Sequence, residues 1–433
     1  MLIQLSISNH KSLHQEQEVT FVTGLMNGRG REIAQVGSPV LPVMSIHGAN
    51  ASGKSNVLDA IGWLQSAVRN SYRQWLPEGG VPTKPFAFGS GPKEPSRYEV
   101  DFVSDSSRWT YGIEINSMHV LREWLHQYGT ARRRRVLFER NGQDFLFGAS
   151  LSGPNQTIAK LTRPNSLFLS AAAQNGHEGV LPVWRWFNQV RLADPENLRA
   201  RQSFTTERAS KNTTAQRQIL AAMKAADFGL TDLEIVENDL PEESKRIIRF
   251  VYKQSKTNIP IPDKQKEVRF RHAAGNHSAL LDFESESMGT QAWYGLVGPL
   301  IATLANGSLL CFDEIDHHLH PLLVEQVVQC FNDPEVNTRN AQLLFTTQRT
   351  FDMQSSPLGD EDEPILDRDQ IWLTEKGETG ETAIVPLSAY KPRRRQNIER
   401  AYLQGRFGAV PSAHLATSLI RALAIGDETK ERS

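Results

Sequence analysis

A chain of 433 residues with 39% hydrophobic and 22% charged residues has the composition of a globular protein, which excludes a disordered or fibrous one. Its 48 Lys+Arg against 49 Asp+Glu leave a formal net charge of -1. No global field therefore draws it to nucleic acid or an anionic membrane, and any nucleic-acid contact must use a local patch. Its two cysteines, Cys311 and Cys330, cannot build a disulfide framework and point to a reducing, cytoplasmic setting.

The first residues carry no basic stretch followed by an apolar run, so no signal peptide is expected. Residues 3–8 alternate Ile, Gln, Leu, Ser, Ile, Ser, a strand pattern, and Asn9-His10-Lys11-Ser12 turns the chain. Val19 to Val22 and Val40 to His47 read as further strands, and Val57, Ile61, Leu64 and Val68 give Asn56 to Arg69 a helical spacing. Residues 98–146 read as antiparallel strands, with Asn141-Gly142 as a hairpin turn. Leu167 to Ser170 reads as a short buried strand.

From 191 to 245 apolar residues thin out, and a helical insertion with loose segments at 203–213 and 237–245 is expected. Residues 247–252 and 267–283 return to a strand pattern. Helices at 287–305 and 319–331 alternate with strands at 308–312 and 342–346, and strands at 370–374 and 383–387 close the series. Trp293 to Phe312 is long enough to cross a bilayer, but Gly295, Gly298-Pro299 and Asn306-Gly307 interrupt it. It reads as a buried helix, a turn and a buried strand, and no membrane partner is expected. The resulting division is 1–190, 191–245 as the helical insertion, and 246–433.

The strongest motif is Gly48-Ala-Asn50-Ala-Ser52-Gly53-Lys54-Ser55, followed by Asn56 and set between a strand and a helix. Glycines let backbone N–H groups wrap phosphates, and the helix N-terminus adds partial positive charge. Lys54 is expected on the β- and γ-phosphates of ATP and the Ser55 hydroxyl on Mg²⁺. Downstream, Leu309-Leu310-Cys311-Phe312 ends in Asp313-Glu314. Asp313 is positioned to complete the Mg²⁺ site and Glu314 to polarise the attacking water. Glu286-Ser287-Met288-Gly289-Thr290-Gln291 opens an apolar helix, as a second anion site or as an ordinary helix cap.

This order of P-loop, Ser-x-Gly-x-Gln and Asp-Glu resembles the ABC/SMC/RecF-like ATPases. The resemblance implies that Ser287, Gly289 and Gln291 of one protomer cap the phosphate held by another, so that ATP joins a homodimer. It also implies an α/β fold, an ABC-type P-loop ATPase head with an antiparallel β lobe and the insertion. No long heptad run supports a coiled-coil arm. Asn9 to Ser12, Asn165 to Ser170, Asp313 to Asp316 with Leu319-His320-Pro321, Asp369 to Trp372 and Tyr402 to Pro411 fall in one order with the motifs above. The set resembles the standalone RloA/AbiL-like AAA-family ATPases of bacterial defence loci. That implies a role in abortive infection beside a separate effector protein, with Asp316 as a D-loop residue acting across the dimer.

One position departs from the family pattern. Where Thr-Thr-His is usual, this chain has Thr346-Thr347-Gln348. Glutamine can orient water but cannot become cationic, so slow hydrolysis is expected, with Gln348 beside Glu314 in the catalytic set. Gln174 is read either as the loop glutamine that reaches Mg²⁺ or as a surface amide.

His317, His318 and His320 are read as part of the D-loop rather than a zinc site. The basic runs Arg132 to Arg135 and Lys391 with Arg393 to Arg395, and the acidic run Asp360 to Glu363, are read as solvated loops. Three other readings remain open. A RecF-like DNA-repair ATPase would bind nucleic acid, a nuclease would keep its site within 191–283, and a scaffold would bind ATP without turnover.

Overall fold

The computed structural model describes residues 1–23, 29–129, 133–193, 197–226, 229–254, 263–350, 353, 364–392 and 397–409. The acidic run Asp360 to Glu363, Arg132, Arg393 to Arg395 and the Val410-Pro411 end of the last motif lie outside the described residues.

Two large sheets divide the work. The first has seven antiparallel-paired strands, with Leu2–Ser8 between Gln17–Thr20 and Ser96–Ser104, then Ser107–Ile115, Val120–Tyr128, Arg134–Asn141 and Asp144–Phe147. Its alternating residues bury one face, as at Tyr98, Val100 and Phe102. The Asn141-Gly142 turn is present, with Gly142 at φ 59°. This is the antiparallel lobe.

The second sheet has six strands in the order Thr382–Pro386, Ile371–Lys376, Val43–Gly48, Gln342–Thr346, Leu309–Phe312 and Arg191–Ala193. All neighbours are parallel except the outermost pair Ile371–Lys376 and Thr382–Pro386. The central strands are buried on both faces, and Leu309–Phe312 accordingly is an unbroken apolar run, while the polar Ser45, His47, Gln342 and Thr346 of its neighbours are buried too. Helices Lys54–Gln74, Met288–Asn306 and Pro321–Asn332 supply the covering layers. The buried Gln342 amide joins the two sheets, donating to the carbonyls of Leu2 at 2.9 Å and Leu41 at 3.1 Å. The fold is of the expected α/β class, a mostly parallel core sheet joined to an antiparallel lobe. Trp293 to Phe312 is helix and strand within it, and among the described residues no helix is long and apolar enough to cross a membrane.

Three expectations are corrected. Leu167 to Ser170 does not form a strand, because Phe168–Gln174 is a helix. The Glu123 carboxylate, fully buried in the lobe, accepts the N–H of Phe168 at 2.7 Å and of Leu169 at 2.9 Å, which satisfies the first turn. Burial pushes the Glu123 carboxyl above its ordinary range, and the buried Arg140 guanidinium beside it pulls the other way.

The insertion is not purely helical. Arg191–Ala193 is the edge of the core sheet, 203–211 lies inside helix Leu198–Lys211, and Leu230–Asp239 is a strand after helix Thr213–Ala225. That strand pairs with Lys264–Ala274, which pairs in turn with His277–Asp282. Its many polar residues belong to a small, half-exposed sheet with cross-strand ion pairs such as Arg271–Glu234 at 2.5 Å. Residues 247–252 lie in helix Glu242–Gln254 rather than a strand.

Candidate functional site

Ligands of parallel α/β sheets sit at the carboxyl ends of the strands. Here the strand Val43–Gly48 ends in the glycine loop, and its neighbour Gln342–Thr346 separates it from Leu309–Phe312, which ends in Asp313-Glu314. The three segments named from the sequence therefore meet at one edge.

The loop tolerates no side chain at two glycines. A Cβ on Gly48 would lie 2.3 Å from Thr374 Oγ1 and 2.5 Å from Ser52 Oγ. A Cβ on Gly53, at φ 103°, would lie 2.2 Å from Thr382 Oγ1. The loop is held by hydroxyls. Ser52 Oγ and Thr374 Oγ1 are 2.6 Å apart, Thr382 Oγ1 donates to Ser52 O at 2.7 Å, and Asn56 Nδ2 donates to Ser12 Oγ at 2.6 Å. Ser12 Oγ also bonds Thr382 Oγ1 at 2.6 Å. The Asn9–Ser12 turn thus braces the P-loop against the last hairpin.

Lys54, 6% exposed, donates from Nζ to Gly48 O at 2.8 Å and Ala49 O at 3.0 Å. Burial pushes its ammonium below the ordinary lysine value, and the carboxylates of Glu314, Asp313 and Asp316 act in the opposite direction.

Facing it, Ser55 Oγ donates to Asp313 Oδ1 at 3.0 Å. The Thr346 hydroxyl donates to the same oxygen and accepts the N–H of Glu314 at 2.8 Å. A hydroxyl and a carboxylate are hard oxygen donors and suit Mg²⁺, which usually takes one or two protein ligands and completes its shell with phosphates and water. Among the described residues no group of three or more His, Cys, Asp or Glu could hold a metal by itself, and that includes the histidines after Asp316.

Glu314 sits at φ 49°, and Gln348 Nε2 donates to its Oε1 at 3.0 Å. Arg349 Nε lies 3.3 Å from Asp316 Oδ2. Thr346, Gln348 and Arg349 thus each hold one carboxylate of the Asp313–Asp316 turn.

Asn50, Gly53, Lys54, Ser55, Asn56, Glu314 and Gln348 line a cavity of about 670 Å³, while Asp313 is not part of its lining and meets it through the Ser55 hydroxyl. That volume suits a nucleotide-sized ligand. Lys11, Phe86, Phe88, Lys376 and Gly380 also line it, and of these only Lys11 carried any signal, through its turn. Phe88 lies on a loop distant in sequence from every motif and could not have been found by spacing.

Ser287, Gly289 and Gln291 do not line this cavity. Ser287 is exposed and caps helix Met288–Asn306, its Oγ accepting from Thr290 N at 3.1 Å, so the cap reading is true of it. Gln291 Nε2 donates to Glu286 O at 3.0 Å, and Gly289 lies against the carbonyl of His318 in the Asp313–His320 turn. Gln174 is an exposed residue ending helix Phe168–Gln174, and the structure does not bring it to the cavity. The strand whose end was to have aimed it at Mg²⁺ is absent, so that placement is withdrawn.

No curated protein sequence matches the chain. Among solved structures, an SMC head bound to the C-winged helix domain of ScpA aligns at TM-score 0.41 and 12% identity, covering 90% of this chain and 99% of that one. The SMC head domain from Thermotoga maritima aligns at 0.40 and 14%, covering 89% and 98%. An Smc head with an extended coiled coil bound to the C-terminal domain of ScpA derived from Pyrococcus furiosus aligns at 0.40 and 13%, covering 90% and 97%. A family profile matches residues 43–350, well over half of the chain. Because that match runs from the P-loop strand past Gln348 and holds Lys54, Ser287, Asp313 and Glu314 in one frame, the chain belongs to the family described as "AAA domain, putative AbiEii toxin, Type IV TA system".

Proposed function

We propose that this protein binds and slowly hydrolyses Mg-ATP, closes as a homodimer over the nucleotide, and through that closure controls a separate effector in bacterial anti-phage defence. The observation that carries the nucleotide reading is the convergence of Lys54, Ser55, Glu314 and Gln348, drawn from three separate strand ends, on one cavity. Lys54 would hold the β- and γ-phosphates, and Ser55 with Asp313 would hold Mg²⁺. The ion, when bound, supplies charge neutralisation on the phosphates. Glu314 would accept the proton of the attacking water, and Gln348, already on its carboxylate, would orient that water.

The dimer rests on two features. Ser287 and Gly289 open a helix at the surface, away from the cavity of their own chain, where backbone N–H groups and the helix dipole suit an anion brought by a partner. Gly289 also touches the turn that carries Asp316, so the two elements assigned to the partner's nucleotide lie side by side. The defence role rests on the family description and on the ordered motif set resembling RloA/AbiL-like proteins.

Slow turnover is tested directly. Gln348→His should raise the Mg-ATP turnover number about 10-fold, the difference between a neutral and a charge-assisted hydrogen bond. A variant no faster than the parent removes the assigned cause. DNA-stimulated turnover falling steeply with salt would favour the RecF-like reading.

A further inference from the structure

We infer that Arg349 of one protomer acts on the nucleotide held by the other, supplying across the dimer the cation that Gln348 cannot. This rests on the nucleotide and dimer readings above and adds a residue to the same site.

Hydrolysis needs positive charge where negative charge grows. Water attacks the γ-phosphorus and Glu314 takes its proton. The bond to the β–γ bridging oxygen breaks, ADP leaves with the electron pair, and inorganic phosphate is released. Charge develops on the γ- and bridging oxygens, where a guanidinium stabilises it. Within one chain the cavity offers Lys11, Lys54 and Lys376 as cations, and the side chain on the Glu314 carboxylate is the neutral Gln348. The next residue is an arginine.

Arg349 is presented at the surface rather than packed inside. Its side chain is 53% exposed, and it does not line the cavity of its own chain. Its backbone is pinned on both sides. The N–H of Thr347 donates to Ile46 O at 3.2 Å, that of Arg349 to Thr347 Oγ1 at 3.1 Å, and Thr350 Oγ1 to Glu399 Oε1 at 2.6 Å. The root of the side chain is therefore fixed while its end stays in solvent, which limits the entropy lost on contact.

That end has only a partial partner. Arg349 Nε lies 3.3 Å from Asp316 Oδ2, and among the described residues the guanidinium makes no other ion pair. The Asp316 side chain is 11% exposed, and its second oxygen, Oδ1, is buried without a hydrogen-bond partner. A guanidinium fork gripping the carboxylate with two parallel bonds would satisfy both oxygens. The single contact leaves the remaining N–H groups of Arg349 for another anion.

The same contact sets Arg349 on the face assigned to the partner. The N–H of Ile315 donates to Thr346 O at 3.1 Å, joining the Asp316 turn to the strand end that leads to Arg349, and His318 of that turn lies against Gly289. Arg349, Asp316 and the helix start at Ser287 thus form one continuous face outside their own cavity. A single copy holds the phosphate site and the arginine apart, and a two-fold pairing brings each arginine to the other copy's phosphate.

The test mixes two full-length variants that each disable one part of the shared site. Arg349→Ala keeps its phosphate loop and lacks the arginine, whereas Lys54→Ala keeps the arginine and lacks the loop cation. Alone, Arg349→Ala should bind Mg-ATP within about threefold of the parent by calorimetry and turn it over about 10- to 150-fold more slowly, the effect of one hydrogen bond from a charged group. Mixed in equal amounts, at an ATP concentration that leaves Lys54→Ala mostly unloaded, the two should recover about a quarter of the parental turnover, because half of randomly formed pairs are mixed and each holds one intact site. Arg349→Lys should fall between parent and Arg349→Ala, since an ammonium keeps the charge and loses the fork. In an Asp316→Ala background, Arg349→Ala should still slow turnover, which a role limited to holding Asp316 would not produce. Parental turnover by Arg349→Ala, a mixture no faster than its two components, or no effect of Arg349→Ala in the Asp316→Ala background overturns the inference while leaving the nucleotide site intact. If Mg-ATP does not raise the solution mass of Glu314→Gln, the dimer reading falls with it, and if the parent does not bind Mg-ATP, the nucleotide reading falls too. Because Arg349 is more than half exposed, its truncation should leave the melting temperature unchanged.

Discussion

Replacing Lys54 with alanine should weaken Mg-ATP binding about 10- to 150-fold, the ~1.5–3 kcal/mol that a hydrogen bond to a charged group contributes. The buried ammonium is the cation of the glycine loop itself, and it now spends its donors on two loop carbonyls that a triphosphate would replace. Truncation removes that contact and also frees the Gly48 and Ala49 carbonyls, so the loop loses its internal brace. The core sheet does not depend on it, and circular dichroism should match the parent. Calorimetric titration decides the matter, since binding within twofold of the parent would show that the loop does not hold a phosphate as argued. In cells carrying the whole locus, the same variant should lose protection against phage.

Glu314→Gln should leave binding intact and lower turnover about 10²- to 10⁴-fold, the usual contribution of a general base. The substitution keeps shape and the carbonyl oxygen that accepts from Gln348, and removes only the ability to take a proton. Position is therefore preserved, and a loss of rate reports chemistry. A variant that turns over at the parental rate would move the base elsewhere, with Asp313 and Asp316 of the same turn as the remaining carboxylates. The two variants separate holding from hydrolysis, because Lys54 acts on affinity and Glu314 on rate.

Much of this site was legible because its signals are local. Gly48 and Gly53 are spaced within one loop, and the strands feeding the cavity are short, largely apolar segments with their functional residues at their ends. Other features depend on partners far along the chain. Leu167 to Ser170 reads as a strand because so short an apolar run carries no period, whereas Phe168–Gln174 is a helix. The group that makes it a helix is the Glu123 carboxylate, 45 residues away from Phe168. Strand Leu230–Asp239 was hidden by its charges, which are satisfied across the sheet by Arg271 and its neighbours. Phe88 could not be placed from sequence, since its loop is held by Asn9, 77 residues before Phe86 in the chain. Gln348 was visible as a departure from the family pattern, but its contact with Glu314 was not.

Closure over a shared nucleotide is the central claim, and the solution mass of Glu314→Gln with and without Mg-ATP tests it most directly, repeated with added Ser287→Arg and with added Ser287→Asp. Aspartate keeps the helix cap that Ser287 provides, so its effect cannot come from a lost cap, while it sets a negative charge against the partner's phosphate. The account predicts that ATP doubles the mass of Glu314→Gln and that either substitution at Ser287 abolishes the increase. A mass that ATP leaves unchanged, or a rise that survives both substitutions, would contradict it.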